Sequence, residues 1–369
     1  MLTTRDSGSR SIWFSKAASF VLVALTALVA WSCGEQVEEG APPSGVYQAA
    51  AQYSREHNGL AMIVYEGNDI TYVDNQNGGT TDTAYHVFSG TKSFSCAIAI
   101  AAVGDGMLTT FDDVVSDTIT EWQGVALKST ITVRQLLSFT SGLQQSLLNL
   151  LLFASDAFRF TAGIQAVQTP GSTFAYGETH VSVFEELMER KLRASPDLAN
   201  YDPLTYLKLR VFDEVGLQYE NWLRSSRGAP FMSFGAFLTA REWLKYGILL
   251  RDNGTYFGKP VLDNTLLTEC LTGSAANAGY GLTFWLNAAM PTGFSGFQLA
   301  QYVSSTFTSG GPTGLIWPGG DADLFAVVGV NDHRIYVFRS RNMVVVRMGR
   351  GGLFSTWDDA AFLNKLFNR

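Results

Sequence analysis

The residues with the most chemistry to offer are Ser89 and Lys92, in the chain's one Ser-x-x-Lys, Ser89-Gly90-Thr91-Lys92. A serine hydroxyl needs a base before it becomes a nucleophile. A lysine in apolar surroundings loses proton affinity and can serve as that base. The motif follows a short apolar stretch, Tyr85 to Phe88, and opens a strongly helical run, Ser93 to Val103. At i and i+3 of a helix, two side chains share a face. The spacing thus predicts Ser89 at a helix N-terminus, where backbone N–H groups favour developing negative charge, with Lys92 one turn in. Such a pair can form an acyl-enzyme without histidine. Alone, the four residues read more readily as a capping serine followed by a solvated lysine. No G-x-S-x-G elbow offers a Ser-His-Asp alternative.

Other chemistries have less support. His57, His86, His180 and His333 form no HExxH or paired-ligand pattern. Cys33, Cys96 and Cys270 fit neither a disulfide framework nor a zinc site by spacing, and Cys96 reads as a buried thiol on the apolar side of its helix. No metal and no cofactor is expected. The formal charge is −7 and no basic run of five or more residues occurs, which argues against nucleic acid as a partner.

The surroundings of Ser89 add a resemblance. Phe88-Ser89-Gly90-Thr91-Lys92-Ser93-Phe94, Gly104-Asp105-Gly106-Met107-Leu108 and Phe111-Asp112-Asp113-Val114-Val115 come in order. Ile131-Thr132-Val133-Arg134-Gln135-Leu136-Leu137-Ser138-Phe139-Thr140-Ser141-Gly142-Leu143 follows, then Thr239-Ala240-Arg241-Glu242-Trp243 with Tyr246-Gly247, and Tyr280-Gly281-Leu282-Thr283-Phe284-Trp285. Together these resemble the serine β-lactamase/penicillin-binding superfamily, in the branch of class C β-lactamases, DD-peptidases, esterases and nylon-oligomer hydrolases. Phe139 stands where that family has histidine. The likeness spans roughly 45–369.

The resemblance implies roles. Pro170-Gly171-Ser172-Thr173-Phe174-Ala175-Tyr176-Gly177-Glu178 is similar to the family's Y-x-N context. Tyr176 would share proton transfer with Lys92, while Glu178 replaces an asparagine and brings a negative charge that favours a protonated Lys92. His180, two residues on, reads as structural. Leu324 to Val330 resembles the strand that lines the site, with Val327 in the place of the cation other members keep. Gly329 would let the strand backbone approach a substrate, and the N–H of Val330 with that of Ser89 would form the oxyanion hole. The missing cation implies a neutral ester or amide substrate and poor β-lactam hydrolysis, although Arg334 offers a charge nearby.

These residues need a scaffold. The 369 residues exceed one small core, hydrophobic residues make up 46%, and charged residues only 16%, which excludes a disordered or coiled-coil chain. Val46 to His57 has helical spacing. Leu60 to Tyr65 and Ile70 to Val73 read as a hairpin, and Leu324 to Val330, Ile335 to Phe338 and Met343 to Met348 as three more strands. Ser355 to Phe367 reads as a closing helix with Ser355 as a cap. The middle predicts helices over 133–139, 178–193, 203–215, 239–252 and 264–271. The fold class that follows is α+β: an antiparallel sheet from both chain ends, flanked by helices, with an inserted, mostly helical lobe. The sheet lobe would hold 45–105 and 275–369, the helical lobe 106–274. The Gly-, Ser- and Thr-rich stretch 285–322 reads either as a pocket cover or as a plain insertion.

Arg5, Arg10 and Lys16 precede an apolar run from Ala17 to Trp31, long enough for a signal h-region and short for a membrane span. Ser32-Cys33-Gly34 then resembles a lipoprotein cleavage site. Residues 1–32 would be a signal peptide, Cys33 the lipidated first residue, 33–44 a tether and 45–369 the hydrolase domain. A secreted chain and an uncleaved anchor remain alternatives, and all three place the body outside the cytoplasm, in the cell envelope or beyond. Two functions are open: an exported serine hydrolase acting through Ser89, Lys92 and Tyr176, or a catalytically silent envelope binding protein of the same fold. Oligomeric state is not written in the sequence.

Overall fold

Two hairpins, one near each end of the chain, make most of the central sheet. The computed structural model describes residues 45–145, 163–290, 314–352 and 355–369, all within one body spanning Ala41–Arg369. Near the start, β1 (Gly59–Glu66) and β2 (Asp69–Asn75) pair around Gly67, whose φ of 59° closes the turn. Near the end, β10 (His333–Phe338) and β11 (Met343–Gly349) pair in the same way. β1 lies antiparallel to β11, from Glu66 opposite Met343 to Gly59 opposite Gly349, so the two termini close one sheet. With β8 (Trp285–Leu286) and β9 (Phe325–Gly329) the order is β2-β1-β11-β10-β9-β8.

Both faces of this sheet are covered, which is why β9, β10 and β11 are buried along their whole length, with Arg334 and Arg347 the charged exceptions in otherwise mostly apolar strands. On one face lie Ile63, Val346, Ile335 and Val327, in register across four strands. The helix Ala240–Arg251 packs here. A Cβ on Gly247 would come within 2.7 Å of Val344, so only glycine allows this approach. The opposite face carries Met62, Arg347, Arg334 and Val328. It is covered by α1 (Gln48–Glu56) and by the last helix, Asp359–Leu366. Two fully buried arginines on this face need partners. Arg334 Nε donates to Asp359 Oδ1 at 2.8 Å, and Arg347 Nε donates to Ser54 Oγ at 3.0 Å while its guanidinium lies 3.8 Å from the Trp357 ring.

The remaining helices follow the apolar spacing. They are α2 (Phe94–Gly104), α3 (Val133–Leu137), α4 (Thr179–Ala194), α5 (Pro203–Leu207, continuing through a π turn to Val215), α6 (Ala240–Arg251), α7 (Asn264–Cys270) and α8 (Asp359–Leu366). The short helix α3 is fixed by a capping box between Thr132 and Gln135. A small sheet of β3 (Tyr85–His86), β5 (Ala236–Leu238) and β4 (Asn221–Trp222) sits before the Ser89 segment, and β6 (Thr255–Tyr256) pairs with β7 (Lys259–Pro260).

Three expectations change. Ser355 does not cap the last helix; Asp358 does, accepting from Ala361 N at 3.0 Å, and the Ser355 hydroxyl bonds the Asp332 carboxylate instead. Cys96 is not a free thiol but is joined to Cys270, across 174 residues of chain, with Cα atoms 6.4 Å apart. Ser89 and Lys92 lie on a 3-10 turn rather than in the first turn of an α-helix. Among the described residues no helix is long and apolar enough to cross a membrane. The signal segment, Cys33 and the tether to residue 44 fall outside the described residues, as does 291–313 of the glycine-rich stretch.

Candidate active site

Phe88–Ser93 forms the 3-10 turn, and α2 begins directly after it. In a 3-10 helix residues i and i+3 eclipse, so the two side chains stand one above the other. Lys92 Nζ accordingly donates to Ser89 Oγ at 3.0 Å. The turn is clamped from outside. A Cβ on Gly90 would meet the Trp243 ring at 2.6 Å; Thr91 Oγ1 accepts from Ala236 N at 3.1 Å; Tyr246 Oη donates to Ser93 O at 2.8 Å. The Thr239-to-Gly247 block therefore serves the site by packing, with Trp243, Tyr246 and Gly247 wedging α6 between turn and sheet.

Lys92 is 1% exposed and has three partners. Besides Ser89, it donates to Ser233 O at 2.9 Å and to Glu178, whose two carboxylate oxygens lie 2.8 and 2.7 Å from Nζ. Burial pulls the ammonium below its usual range, and the Glu178 carboxylate pulls the other way. Glu178 stands at the entrance to α4 and is 4% exposed. Its Oε1 accepts the hydrogen bond from the lysine, while Oε2 lies against the same ammonium without a hydrogen bond of its own. Glu185, two turns along α4, accepts from Met232 N at 3.2 Å and so holds the loop that presents the Ser233 carbonyl. Sequence reasoning missed both Ser233 and Glu185. A backbone carbonyl carries no side-chain signal, and a buried glutamate resembles any other helical one.

Tyr176 lies beside this pair, its ring centroid 5.4 Å from Lys92 Nζ. It belongs to an aromatic cluster with Phe139 at 5.2 Å, Trp285 at 5.3 Å and Tyr280 at 6.0 Å. Burial, then the Glu178 charge, raises the phenol's pKa well above its ordinary value; a hydrogen bond with Ser89 opposes this. The phenol is thus held protonated, as a donor. His180 stacks on Phe139 at 4.8 Å, and its two nitrogens engage Ser141 Oγ and Ala175 O, each at 2.8 Å. It stays outside the Ser89 contacts, and burial depresses its pKa to about 4.

β9 completes the neighbourhood. A Cβ on Gly329 would sit 2.1 Å from the Val87 carbonyl, so this strand abuts the chain just before Ser89. Val327 shares the face of Gly329 by strand alternation and is buried, and Val330 follows, half-buried, at the strand end. Arg334 does not replace the missing cation: its side chain lies on the opposite face, fully buried against Asp359. Phe88, with φ of 47°, lies between His86, tilted against it at 3.9 Å, and His333, stacked at 6.4 Å.

Structure brings Ser89, Lys92, Tyr176 and Glu178 into one buried group over a glycine-bearing strand, and this arrangement can be compared with known proteins. Residues 46–197 match the family described as Beta-lactamase. The chain has the fold of the serine β-lactamase and penicillin-binding superfamily. It is similar to a β-lactamase candidate from Bacteroides dorei, at 16% identity and a TM-score of 0.65, over 88% of this chain and 97% of that one. A candidate 6-aminohexanoate-dimer hydrolase from Bacillus anthracis gives 14% and 0.64, over 86% and 79%. A penicillin-binding protein homologue from Caulobacter crescentus gives 15% and 0.63, over 89% and 97%. No curated protein matches the sequence. In this superfamily frame the Ile131-to-Leu143 block is explained by structure: Arg134 bridges Asp112 at 2.8 Å and Glu269 at 2.7 Å, tying the helical part to α7.

Proposed function

We propose that the chain is an exported serine hydrolase that cleaves an ester or amide bond through an acyl-enzyme on Ser89. The observation that carries this is the hydrogen bond between Ser89 and Lys92, a lysine almost wholly removed from water. Ser89 Oγ attacks the acyl carbon as Lys92 takes its proton. The N–H groups of Ser89 and Val330 receive the developing oxyanion. Tyr176, held as a neutral phenol, orients the serine and supports protonation of the leaving group. Water then repeats the attack on the ester and frees Ser89.

The substrate is neutral near its acyl carbon. Val327 offers no charge to a carboxylate, and Arg334 is committed to the far face of the sheet. The names of the similar structures span β-lactam and linear-amide chemistry, which agrees with a shared acyl-transfer site and differing substrates. Export is supported by the leader-like segment ending at Cys33, which would become the lipid-bearing membrane anchor, and by the Cys96–Cys270 disulfide, since disulfides persist in oxidising compartments.

A silent binding protein is the second reading, favoured by the Glu178 contact that keeps a proton near Lys92. Turnover separates the two. The hydrolase reading expects cleavage of a p-nitrophenyl ester that disappears in Ser89→Ala, with a chromogenic cephalosporin turned over far more slowly. Faster cephalosporin turnover would sink the neutral-substrate claim, and no turnover of either would favour the binding protein.

A further inference from the structure

Lys92 has a proton problem that its surroundings define. An ammonium carries three N–H bonds and no lone pair. Here the three bonds have three takers: Ser89 Oγ at 3.0 Å, Ser233 O at 2.9 Å and the Glu178 carboxylate at 2.7–2.8 Å. In that form Lys92 donates to the serine and cannot accept its proton. One proton must leave the nitrogen first. Water has almost no access to a side chain that is 1% exposed, and a backbone carbonyl is no base. Glu178 is the group in contact that can take a proton and become neutral. Among the described residues, the other titratable groups facing the pair are Tyr176 and Tyr280, both held protonated by burial, and His180, held neutral. Arg334 points to the other side of the sheet.

We propose that Glu178 accepts the proton from Lys92, so that the working site is an uncharged amine beside an uncharged carboxylic acid. This deepens the acyl-enzyme reading and rests on it. The exchange avoids keeping two charges in a dry site, which is costly even for a pair. The steps balance. One proton passes from Lys92 Nζ to a Glu178 oxygen. The amine turns its lone pair to Ser89 and keeps N–H bonds to Ser233 O and to the other Glu178 oxygen. As Ser89 Oγ bonds to the acyl carbon, Lys92 takes the hydroxyl proton and then delivers it to the departing oxygen or nitrogen. In deacylation Lys92 takes a proton from water and returns it to Ser89. Glu178 holds its own proton through the whole cycle. It touches the base and not the substrate, and so acts as a positioning residue that sets the proton count of the site. An asparagine in this place could not hold that proton.

The test is the rate at which a fluorophosphonate labels the full chain as pH is varied. Fluoride leaves without needing a proton, so the rate reports the base step alone. In the native protein Glu178 takes the Lys92 proton within the site, so the acid limb should lie below that of a variant in which Lys92 must lose it to solvent. In Glu178→Gln, Lys92 must lose its proton to solvent. The limb should then rise by about two pH units or more toward the range of a buried amine, with labelling at neutral pH slowed about tenfold or more. Glu178→Asn should move it in the same direction, and thermal melts establish that each variant is folded. An unchanged acid limb in the folded variants, or faster labelling at neutral pH, overturns the proposal while leaving Ser89 as nucleophile. A native protein that labels at no pH overturns both.

Discussion

Lys92 shows how much of a site one residue can decide. Its position beside Ser89 is legible from sequence, because the spacing alone fixes a shared face. Its other partners are not: Glu178 lies 86 residues away and Ser233 contributes only a carbonyl. Replacement of an asparagine by Glu178 was visible, but only the fold shows that both carboxylate oxygens reach Nζ. The histidines make a separate point at this scale. His180 is held to about pKa 4 and His333 to about 3, each from 6.5, chiefly by burial. Both are neutral in the fold and take up a proton more readily when unfolded. Their contribution is therefore complete above pH 6.5 and is lost as pH falls towards those depressed values. Each should cost about 1.4 kcal/mol of stability per pH unit through that window. Urea unfolding at a series of pH values should show the decline, and His180→Gln should make it shallower. A stability that stays flat from pH 7 to 5 would contradict this account.

Elements set the precision of the site. The turn Phe88–Ser93 is tighter than the α-helical spacing suggested, and the difference places Ser89 directly over Lys92. What tightens it is distant in sequence: Ala236 N on Thr91, Tyr246 on Ser93 and Trp243 against Gly90. Strands β3, β4 and β5 have two or three residues each, too few for any alternation to be read, yet they carry one of these clamps. The long helices were legible from their apolar spacing, and the strands from short, mostly apolar stretches. The disulfide was not, since 174 residues separate its cysteines and spacing says nothing about pairs so far apart. It ties α2, which continues the Phe88–Ser93 turn, to α7. Replacing both cysteines by alanine should lower the unfolding free energy by roughly 2–5 kcal/mol. Denaturant melts of the double variant would check this, and an unshifted midpoint would show that the bond does not restrain the fold.

At the scale of the whole molecule, one antiparallel sheet divides two kinds of chemistry. The face bearing Gly329 and Val327 meets α6 and the Phe88–Ser93 turn, and holds the apolar, close-packed side of the candidate site. The face bearing Arg334 and Arg347 holds paired charges under α1 and α8. The strand register that fixes which residue points which way thus puts Val327, and not Arg334, on the face that meets the turn around Ser89. The strands were legible in the sequence as mostly apolar stretches; assigning Arg334 to the far face needed its partner Asp359. The central claim, an acyl-enzyme on Ser89, is tested most directly by intact mass and peptide mapping after exposure to a fluorophosphonate. The account predicts a single adduct on Ser89, absent from Ser89→Ala and strongly reduced in Lys92→Ala. No adduct, an adduct on another residue, or full labelling of Lys92→Ala would contradict it.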